Sequence, residues 1–211
     1  MNVIGFSSGA AGRMGNVDRM VQAILDKSGG EHEFVKLADL DYTACRGCVD
    51  LCSQPQACQL DDDLLPYYEK IKDADAVVLG SPLYFGTVNA GMLSFVERFF
   101  GYRHVDIPIA KKPFVLVLGG GGRDLESAEQ SFRQRLRPFG VEVVDVVKYT
   151  SGIPPCFVCG RHKECSIGGL YGAVGKAAHT MEITPEMFHR WEDRLIVAEA
   201  VDGAATRLRE L

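Results

Sequence analysis

Apolar and polar positions along the chain predict an alternation of strands and helices over the first 150 residues or so. Short apolar runs bounded by glycine or proline are typical of buried strands, and apolar residues spaced three and four apart are typical of helices. The predicted strands cover residues 3–6, 32–37, 74–80, 113–118 and 141–147. The predicted helices cover residues 17–25, 61–72, 91–100 and 124–137, and residues 81–90 are predicted to form a loop. Asp61, Asp62 and Asp63 are expected to cap the second helix.

This alternation predicts an α/β fold. Strands separated by helices form a parallel sheet with helices on both faces, and strands covered on both faces read as unbroken apolar runs. We therefore expect a doubly wound, five-stranded parallel sheet in the flavodoxin-like order 2-1-3-4-5.

The pattern stops at Ser151, and residues 151–180 are rich in glycine, proline and cysteine. We interpret this stretch as an irregular extension. Thr184 followed by Pro185 is typical of a helix start, so a closing helix is predicted from there to about Val201, with Gly203 as a break. Residues 1–150 are expected to form the core unit, and residues 151–211 an extension of the same domain.

The bulk composition excludes several classes of function. A net charge of −5 and a pI near 5.6 argue against nucleic acid as a partner. The sequence has no polybasic run for a membrane surface and no apolar segment of the ~18 residues that a spanning helix needs. The N-terminal residues read as a strand and not as a signal peptide. We expect a cytoplasmic protein, in which the seven cysteines bind metal or act in redox chemistry.

Four of those cysteines lie within fourteen residues of the predicted loop 41–60, which follows strand two. They are Cys45, Cys48, Cys52 and Cys58. Thiolates are soft ligands that select iron–sulfur clusters or zinc, and a loop this long in a compact domain is usually functional. The spacing favours an iron–sulfur cluster. Zinc and uncoordinated or redox-switching thiols remain alternatives.

A second group comprises Cys156, Cys159 and Cys165, with His162 between them. Three thiolates and one imidazole suit tetrahedral zinc. The same residues would equally suit a second cluster, disulfides under oxidation, or free thiols in a packed extension.

Three predicted loops meet at the carboxyl edge of the sheet, where open parallel sheets bind ligands. The first, residues 7–16, combines the hydroxyls of Ser7 and Ser8, several glycines, Arg13 and a helix N-terminus. Backbone amides and the helix dipole at such a place bind phosphate groups. An ordinary glycine-rich turn is the alternative interpretation.

The second and third loops suit the edge of a flat heterocycle. Pro82, Tyr84 and Phe85 offer a stiff apolar ledge, and residues 86–89 offer backbone polar groups. Consecutive glycines at 119–122 allow close approach of a ligand. Core aromatics and a flexible turn are the respective alternatives.

Isolated residues receive simpler interpretations. Trp191 is expected in the core or at a subunit contact, and His104 and His179 at the surface. Arg98 is expected to form a local salt bridge or to contact another subunit.

Together the motifs resemble the flavodoxin-like NAD(P)H-dependent FMN reductase family over residues 1–150. The resemblance rests on S-S-G-A-A-G-R-M-G-N, A-D-A-V-V-L-G-S-P-L-Y-F-G and V-E-R-F-F. The cysteine run resembles that of the iron–sulfur flavoprotein branch, although three residues separate Cys48 from Cys52 where two are commoner.

The resemblance implies a set of binding residues. The FMN phosphate would be held by Ser7, Ser8, Arg13, Gly15 and Asn16. The flavin ring would be held by Pro82, Leu83, Tyr84, Phe85 and Gly86, and flanked by Gly119, Gly120 and Gly121. Cys45, Cys48, Cys52 and Cys58 would bind a [4Fe–4S] cluster.

It also implies a flavin-dependent oxidoreductase that passes electrons between the cluster, FMN and a small acceptor or donor. Ferredoxin or another one-electron carrier, or NAD(P)H, would be the partner, and the protein would be a homodimer or homotetramer. No catalytic side chain is expected, because the chemistry belongs to the flavin. The alternatives are a cluster-free NAD(P)H-dependent FMN or quinone reductase with structural zinc or free thiols, and a thiol-based redox sensor.

Overall fold

A five-stranded parallel sheet forms the centre of the computed structural model, which describes residues 1–121 and 125–211. Its strands are β1 (Asn2–Ser7), β2 (Glu31–Lys36), β3 (Ala76–Tyr84), β5 (Pro113–Gly120) and β6 (Glu142–Thr150). A two-residue strand, β4 (Thr87–Val88), pairs antiparallel with the end of β3. The order across the sheet is β2-β1-β3-β5-β6. Without β4, this confirms the predicted order 2-1-3-4-5.

Helices cover both faces of the sheet. In chain order they are α1 (Asn16–Lys27), α2 (Val49–Ser53), α3 (Tyr67–Asp73), α4 (Ala90–Glu97), α5 (Leu125–Leu136), α6 (Cys156–Cys159), α7 (Gly169–Val174) and α8 (Leu195–Arg209). Within the described ranges, the structure contains no helix long and apolar enough to cross a membrane.

Alternate residues of each strand enter two separate cores. Val78 of β3 packs with α1 and α8, whereas Val77 and Leu79 pack with α3, α4 and α5. Side chains alternate between the faces of a strand, so a strand buried on both faces must be apolar at every position. This accounts for the continuous apolar runs in the sequence.

The predicted loop 81–90 is wrong at residues 81–84 and 87–88, which lie in strands β3 and β4. Ser81 and Pro82 pair with Leu118 and Gly119 of β5, and this pairing extends β3 to Tyr84. The chain then reverses through Phe85 and Gly86, whose φ angles of 53° and 81° are both positive. Two consecutive positive φ angles are typical of the two-residue turns that join hairpin strands.

The helix predicted from Asp61 is also wrong at its start, because α3 begins at Tyr67. The aspartates serve tertiary contacts instead. Asp62 pairs with Arg98, and the Asp63 carboxylate accepts the Asp41 backbone N–H at 2.7 Å.

The closing helix begins at Leu195, ten residues after the predicted first helical residue, Pro185. Residues 185–187 and 191–193 form only single 3₁₀ turns, and Gly203 lies inside α8 instead of breaking it. The cause is tertiary: Val201, Ala204 and Leu208 bury one face of α8 against α1 and β6. Trp191 is buried in the same core, as expected.

Candidate cofactor pocket and cysteine loop

A cavity of about 210 Å³ opens at the carboxyl ends of β1, β3 and β5. It brings together residues from all three predicted ligand loops and from the end of β6. Its lining comprises Gly9, Ala10, Arg13, Gly15, Asn16, Val17, Asp18, Pro82, Tyr84, Gly119, Tyr149 and Ser151. The sheet edge predicted to bind a ligand is therefore concave.

A buried carboxylate, Asp18, organises the first loop. Its Oδ1 accepts the Ser7 hydroxyl at 2.6 Å, and its Oδ2 accepts the Gly15 N–H at 2.7 Å. The Lys36 ammonium, at the end of β2, lies 2.9 Å from the same Oδ2 and also donates to the Arg13 carbonyl. The Asp18–Lys36 ion pair therefore fixes both ends of the loop, through Ser7 at its start and Gly15 at its end.

Gly9 must be a glycine in this arrangement. A Cβ at that position would lie 2.2 Å from Asp18 Oδ1, closer than any non-bonded contact allows. Because residue 9 is a glycine, it contributes only backbone atoms to the cavity lining.

Ser7 and Ser8 do not line this first cavity, and their hydroxyls donate to acceptors within the protein. Ser7 is fully buried, and the Ser8 hydroxyl donates to the Gly80 carbonyl at 3.3 Å. Arg13 is exposed at the cavity rim. Among the predicted phosphate-binding residues, Arg13, Gly15 and Asn16 line this cavity.

Asn16 joins the loop to the C-terminal extension. Its Oδ1 accepts the Trp191 N–H at 3.1 Å and an Arg19 N–H at 2.6 Å. Arg19 in turn donates to Glu192 at 2.8 Å. Burial raises the pKa of Glu192, but the hydrogen bonds from Arg19, Arg190 and the backbone, together with the charge of Arg19, outweigh it and lower that pKa to about 2.

The predicted ring-binding residues divide into two sets. Pro82, Tyr84 and Gly119 line the cavity, whereas Leu83 packs on Gly120, where a Cβ would meet its side chain at 3.0 Å. Phe85 and Gly86 form the hairpin turn beyond the cavity, with Phe85 fully exposed. Gly121 is exposed, and the adjoining residues 122–124 lie outside the described residues.

A second cavity of about 240 Å³ lies on the other side of the first loop. Its lining comprises Ser8, Gly9, Ala10, Leu37, Ala38, Tyr42, Tyr84, Asn89 and Gly91. Tyr42 donates to the Gly91 carbonyl at 2.8 Å, and Asn89 donates to the Ser8 carbonyl at 2.7 Å. Burial raises the pKa of Tyr42 to about 12, so its hydroxyl stays protonated.

The cysteine loop begins beside this second cavity, because Tyr42 precedes Cys45 by three residues. Cys45 is exposed and Cys48 partly buried, while Cys52 and Cys58 are each 6% exposed. Cys52 Sγ lies 3.1 Å from the Nε2 of His104. His104 is therefore half-buried against the loop, and the structure gives this expected surface residue a partner. Burial, followed by the neighbouring Cys48, raises the pKa of the Cys52 thiol.

Cys58 is held from below by Arg98, at the end of α4. Arg98 Nε donates to the sulfur at 2.9 Å, and its two terminal nitrogens form a fork on Asp62. Gly101 lets the chain after α4 approach this closely, since a Cβ there would lie 2.5 Å from the Cys58 backbone nitrogen. The expected local salt bridge of Arg98 is confirmed.

The second cysteine group lies in the extension around α6 and α7. Cys156 and Cys165 are neighbours, because a Cβ on Gly168 would lie 2.7 and 3.2 Å from their sulfurs. The backbone N–H groups of Leu170 and Gly168 donate to these sulfurs at 3.4 and 3.2 Å, respectively. His162 is buried and bonds the Met181 carbonyl through Nε2, and His179 stacks on Tyr171.

In neither cysteine group of the described residues do three or more ligand side chains converge in metal-binding geometry. Within residues 1–121 and 125–211, the structure shows no set of three or more Cys, His, Asp or Glu side chains in metal-binding geometry. The first loop nevertheless supplies the donors that a cluster needs, with two of its four sulfurs buried and one already hydrogen-bonded to a cation.

Comparison with known proteins identifies the family. Residues 1–155 match the model of the NADPH-dependent FMN reductases. The chain belongs to the NADPH-dependent FMN reductase family. This confirms the resemblance found in the sequence, and the match continues five residues beyond the end of β6.

Several curated relatives of this FMN reductase family member are named iron–sulfur flavoproteins. One from Methanocaldococcus jannaschii is 38% identical over 101 residues, 46% of this chain and 51% of that protein. One from Methanosarcina thermophila is 25% identical over 158 residues, 72% of this chain and 82% of that protein. The chain spans about half the length of the first curated relatives it matches.

Solved structures support the fold of the family. The azoreductase AzrA aligns over 100% of both chains with a TM-score of 0.59 and 12% identity. An NAD(P)H:quinone oxidoreductase from Methanothermobacter marburgensis aligns over 71% of this chain and 82% of its own, with a TM-score of 0.54 and 21% identity.

Sequence reasoning missed Asp18, Lys36 and Tyr149 in this FMN reductase fold. Asp18 lies three residues after Gly15 in the first turn of α1, and a single acidic residue there carries no mark of burial. Lys36 and Tyr149 lie at strand ends that only the sheet order brings to the first loop and to the cavity, respectively. Without the fold, no local signal would have found them.

Proposed function

We propose that the protein is an FMN-dependent oxidoreductase that also holds a [4Fe–4S] cluster. The FMN would occupy the region of the two cavities beside the first loop. The cluster would be bound by Cys45, Cys48, Cys52 and Cys58. Electrons would pass between the cluster, the flavin and a small acceptor or donor.

One observation carries this proposal: the cysteine loop and the predicted flavin loops share a cavity wall. Tyr42 lines the second cavity together with Ser8, Gly9 and Tyr84. The three residues from Tyr42 to Cys45 span at most ~11 Å even when fully extended. A cluster and a flavin bound at these places would therefore be neighbours.

The phosphate end of FMN would lie at the first loop. Because Ser7 and Ser8 donate inward, the groups left for an anion are the backbone of this loop, the N-terminus of α1 and Arg13. A helix N-terminus with an arginine beside it favours phosphate. The Asp18–Lys36 pair would act as the internal support of this loop.

The ring would lie against Pro82 and Tyr84, with Gly119 and Tyr149 behind. Gly119 brings its backbone close to α1, since a Cβ there would lie 2.6 Å from Val17. When bound, FMN would supply both one- and two-electron steps. The protein's own residues would set its position and exclude water.

The proposal extends to partners and assembly. NAD(P)H would be the two-electron donor, and ferredoxin or a similar carrier the one-electron partner. A reducing compartment such as the cytoplasm would keep the thiols available as ligands. Residues 1–150 would form the FMN-binding unit and residues 151–211 an extension of the same domain, in a homodimer or homotetramer.

The test is to measure iron, sulfide and flavin in protein purified without oxygen. We expect about four iron atoms per chain for a [4Fe–4S] cluster and one FMN. Cys45→Ser should lose the iron and keep the flavin. Cys156→Ser is the matched control, and it should keep both. Flavin without iron in the unaltered protein would contradict the cluster.

The second cysteine group favours a second candidate, because the sulfurs of Cys156 and Cys165 lie next to each other beside Gly168. In this candidate, the protein is a cluster-free NAD(P)H-dependent FMN or quinone reductase. Cys156, Cys159 and Cys165 would then hold structural zinc or remain free thiols. One zinc per chain, lost in Cys156→Ser, would support this alternative.

A further inference from the structure

Arg98 donates hydrogen bonds to three residues in the cysteine loop or next to it. Its side chain is fully buried. One terminal nitrogen donates to the Thr43 carbonyl at 2.8 Å, just before the first cysteine, and Nε donates to the last cysteine, Cys58. The fork on Asp62, at 2.7 and 3.1 Å, fixes the chain just after it.

All three nitrogens of the guanidinium group donate hydrogen bonds in this arrangement. Its donors lie in one rigid plane, and a lysine ammonium has no equivalent geometry. The ring of Tyr68 stands 5.8 Å from the guanidinium carbon. A guanidinium group stays protonated in proteins, so Arg98 keeps a positive charge against Cys58.

We propose that Arg98 is the positioning residue of the cluster site, closing the loop from Thr43 to Asp62 and raising the reduction potential of the bound cluster. This inference rests on the proposed function. Hydrogen bonds to the sulfurs and local charge both tune cluster potentials. A donor on a ligand sulfur stabilises the more negative, reduced form, so its removal should lower the potential.

The loop closure and the effect on the potential are separable. In Arg98→Lys, the single ammonium is expected to follow the Asp62 carboxylate and leave Cys58 without its donor. In Asp62→Asn, the bond to Cys58 remains, while the fixed end of the loop is weakened. The two variants therefore predict different outcomes.

The experiment compares both variants with the unaltered protein after anaerobic reconstitution. Iron release to a chelator and the cluster potential, by EPR-monitored redox titration, are measured. Arg98→Lys should weaken iron retention by about 10- to 100-fold, as loss of outer-shell contacts does at metal sites, and lower the potential. Asp62→Asn should weaken retention without lowering the potential. Arg103→Lys, an exposed arginine five residues on, should change neither.

Each result decides the question. Iron retention and potential unchanged in Arg98→Lys, with iron bound in the unaltered protein, would overturn the inference and leave the proposed function standing. Iron absent from the unaltered protein would overturn both. Circular dichroism reports whether Arg98→Lys folds. If it does not, Asp62→Asn decides alone: faster iron release at an undiminished potential supports the inference, and unchanged release overturns it.

Discussion

At the scale of single residues, the first loop depends on a charge pair that the sequence does not reveal. Asp18 is fully buried, and the Lys36 side chain is 7% exposed. Removing one partner of such a pair leaves an uncompensated charge and costs about 3–5 kcal/mol. The loop that faces the cavity is therefore more sensitive to β2 than its own composition suggests.

We predict that Lys36→Met lowers the free energy of unfolding by about 3–5 kcal/mol in urea titrations. The double variant with Asp18→Asn should recover part of this loss, because the neutral amide needs no counter-charge. Lys70→Met is the matched control, since it removes the exposed pair with Glu33 and should cost at most about 1 kcal/mol. Equal costs for Lys36→Met and Lys70→Met would contradict the role of the buried pair.

The residue scale is also where sequence prediction was weakest. Arg13 and Tyr84 were placed at the cavity correctly, because loops after parallel strands must meet at one edge. The directions of Ser7 and Ser8 could not be predicted, since a hydroxyl donates to whichever acceptor the fold supplies. Whether these residues bind FMN remains a prediction.

At the scale of elements, two glycines have opposite roles. Gly203 lies in the middle of α8 with no atom within 4 Å of its missing Cβ, whereas Gly101 is in contact with the Cys58 backbone. Glycine inside a helix costs roughly 0.5–1 kcal/mol relative to alanine when nothing requires it. One glycine is therefore dispensable, and the other fixes the distance between α4 and the cysteine loop.

We predict that Gly203→Ala raises the free energy of unfolding by about 0.5–1 kcal/mol. Gly101→Ala should lower it, because the new methyl group would force backbone apart. Thermal and urea unfolding of the two variants, measured side by side, provide the check. A destabilised Gly203→Ala protein would show that α8 is not continuous through this position.

The boundaries of the strands and helices show what the hydrophobic pattern of the sequence could predict. The apolar runs located the central strands β1, β3 and β5, because strands buried on both faces have no alternative composition. The partly buried edge strands β2 and β6 were located from shorter apolar stretches. The start of α3 and of α8 was missed, since Asp62 and Trp191 satisfy distant partners that outweigh local capping signals. Tertiary contacts decided both cases.

At the scale of the whole molecule, the C-terminal extension is attached to the cavity loop through Asn16. The Asn16 amide bonds the Trp191 N–H and the His189 carbonyl, and Arg19 joins Glu192. The residue implied by resemblance to hold phosphate thus has a second role in the structure. A substitution of Asn16 distinguishes the phosphate-binding role from the structural one.

We predict that Asn16→Ala increases amide hydrogen exchange over residues 188–194 by roughly 5- to 30-fold, as expected for a loss of 1–2 kcal/mol. Exchange in β1 and β3 should not change. Asn2→Ala, an exposed asparagine on β1, is the control. An FMN affinity that falls without any change in exchange would assign Asn16 to the phosphate alone.

The packing of α8 on α1 has a consequence during synthesis. Met20, Ile24 and Leu25 of α1 share one core with Ala204 and Leu208 of α8. About 180 residues separate these partners, so the ribosome finishes α1 long before its cover exists. The strands β1, β3 and β5 cover part of the apolar face of α1, but the part that packs on α8 should stay exposed for about 9–36 s at translation rates of ~5–20 residues per second. Until α8 is made, this apolar surface is the part of the nascent chain most open to aggregation.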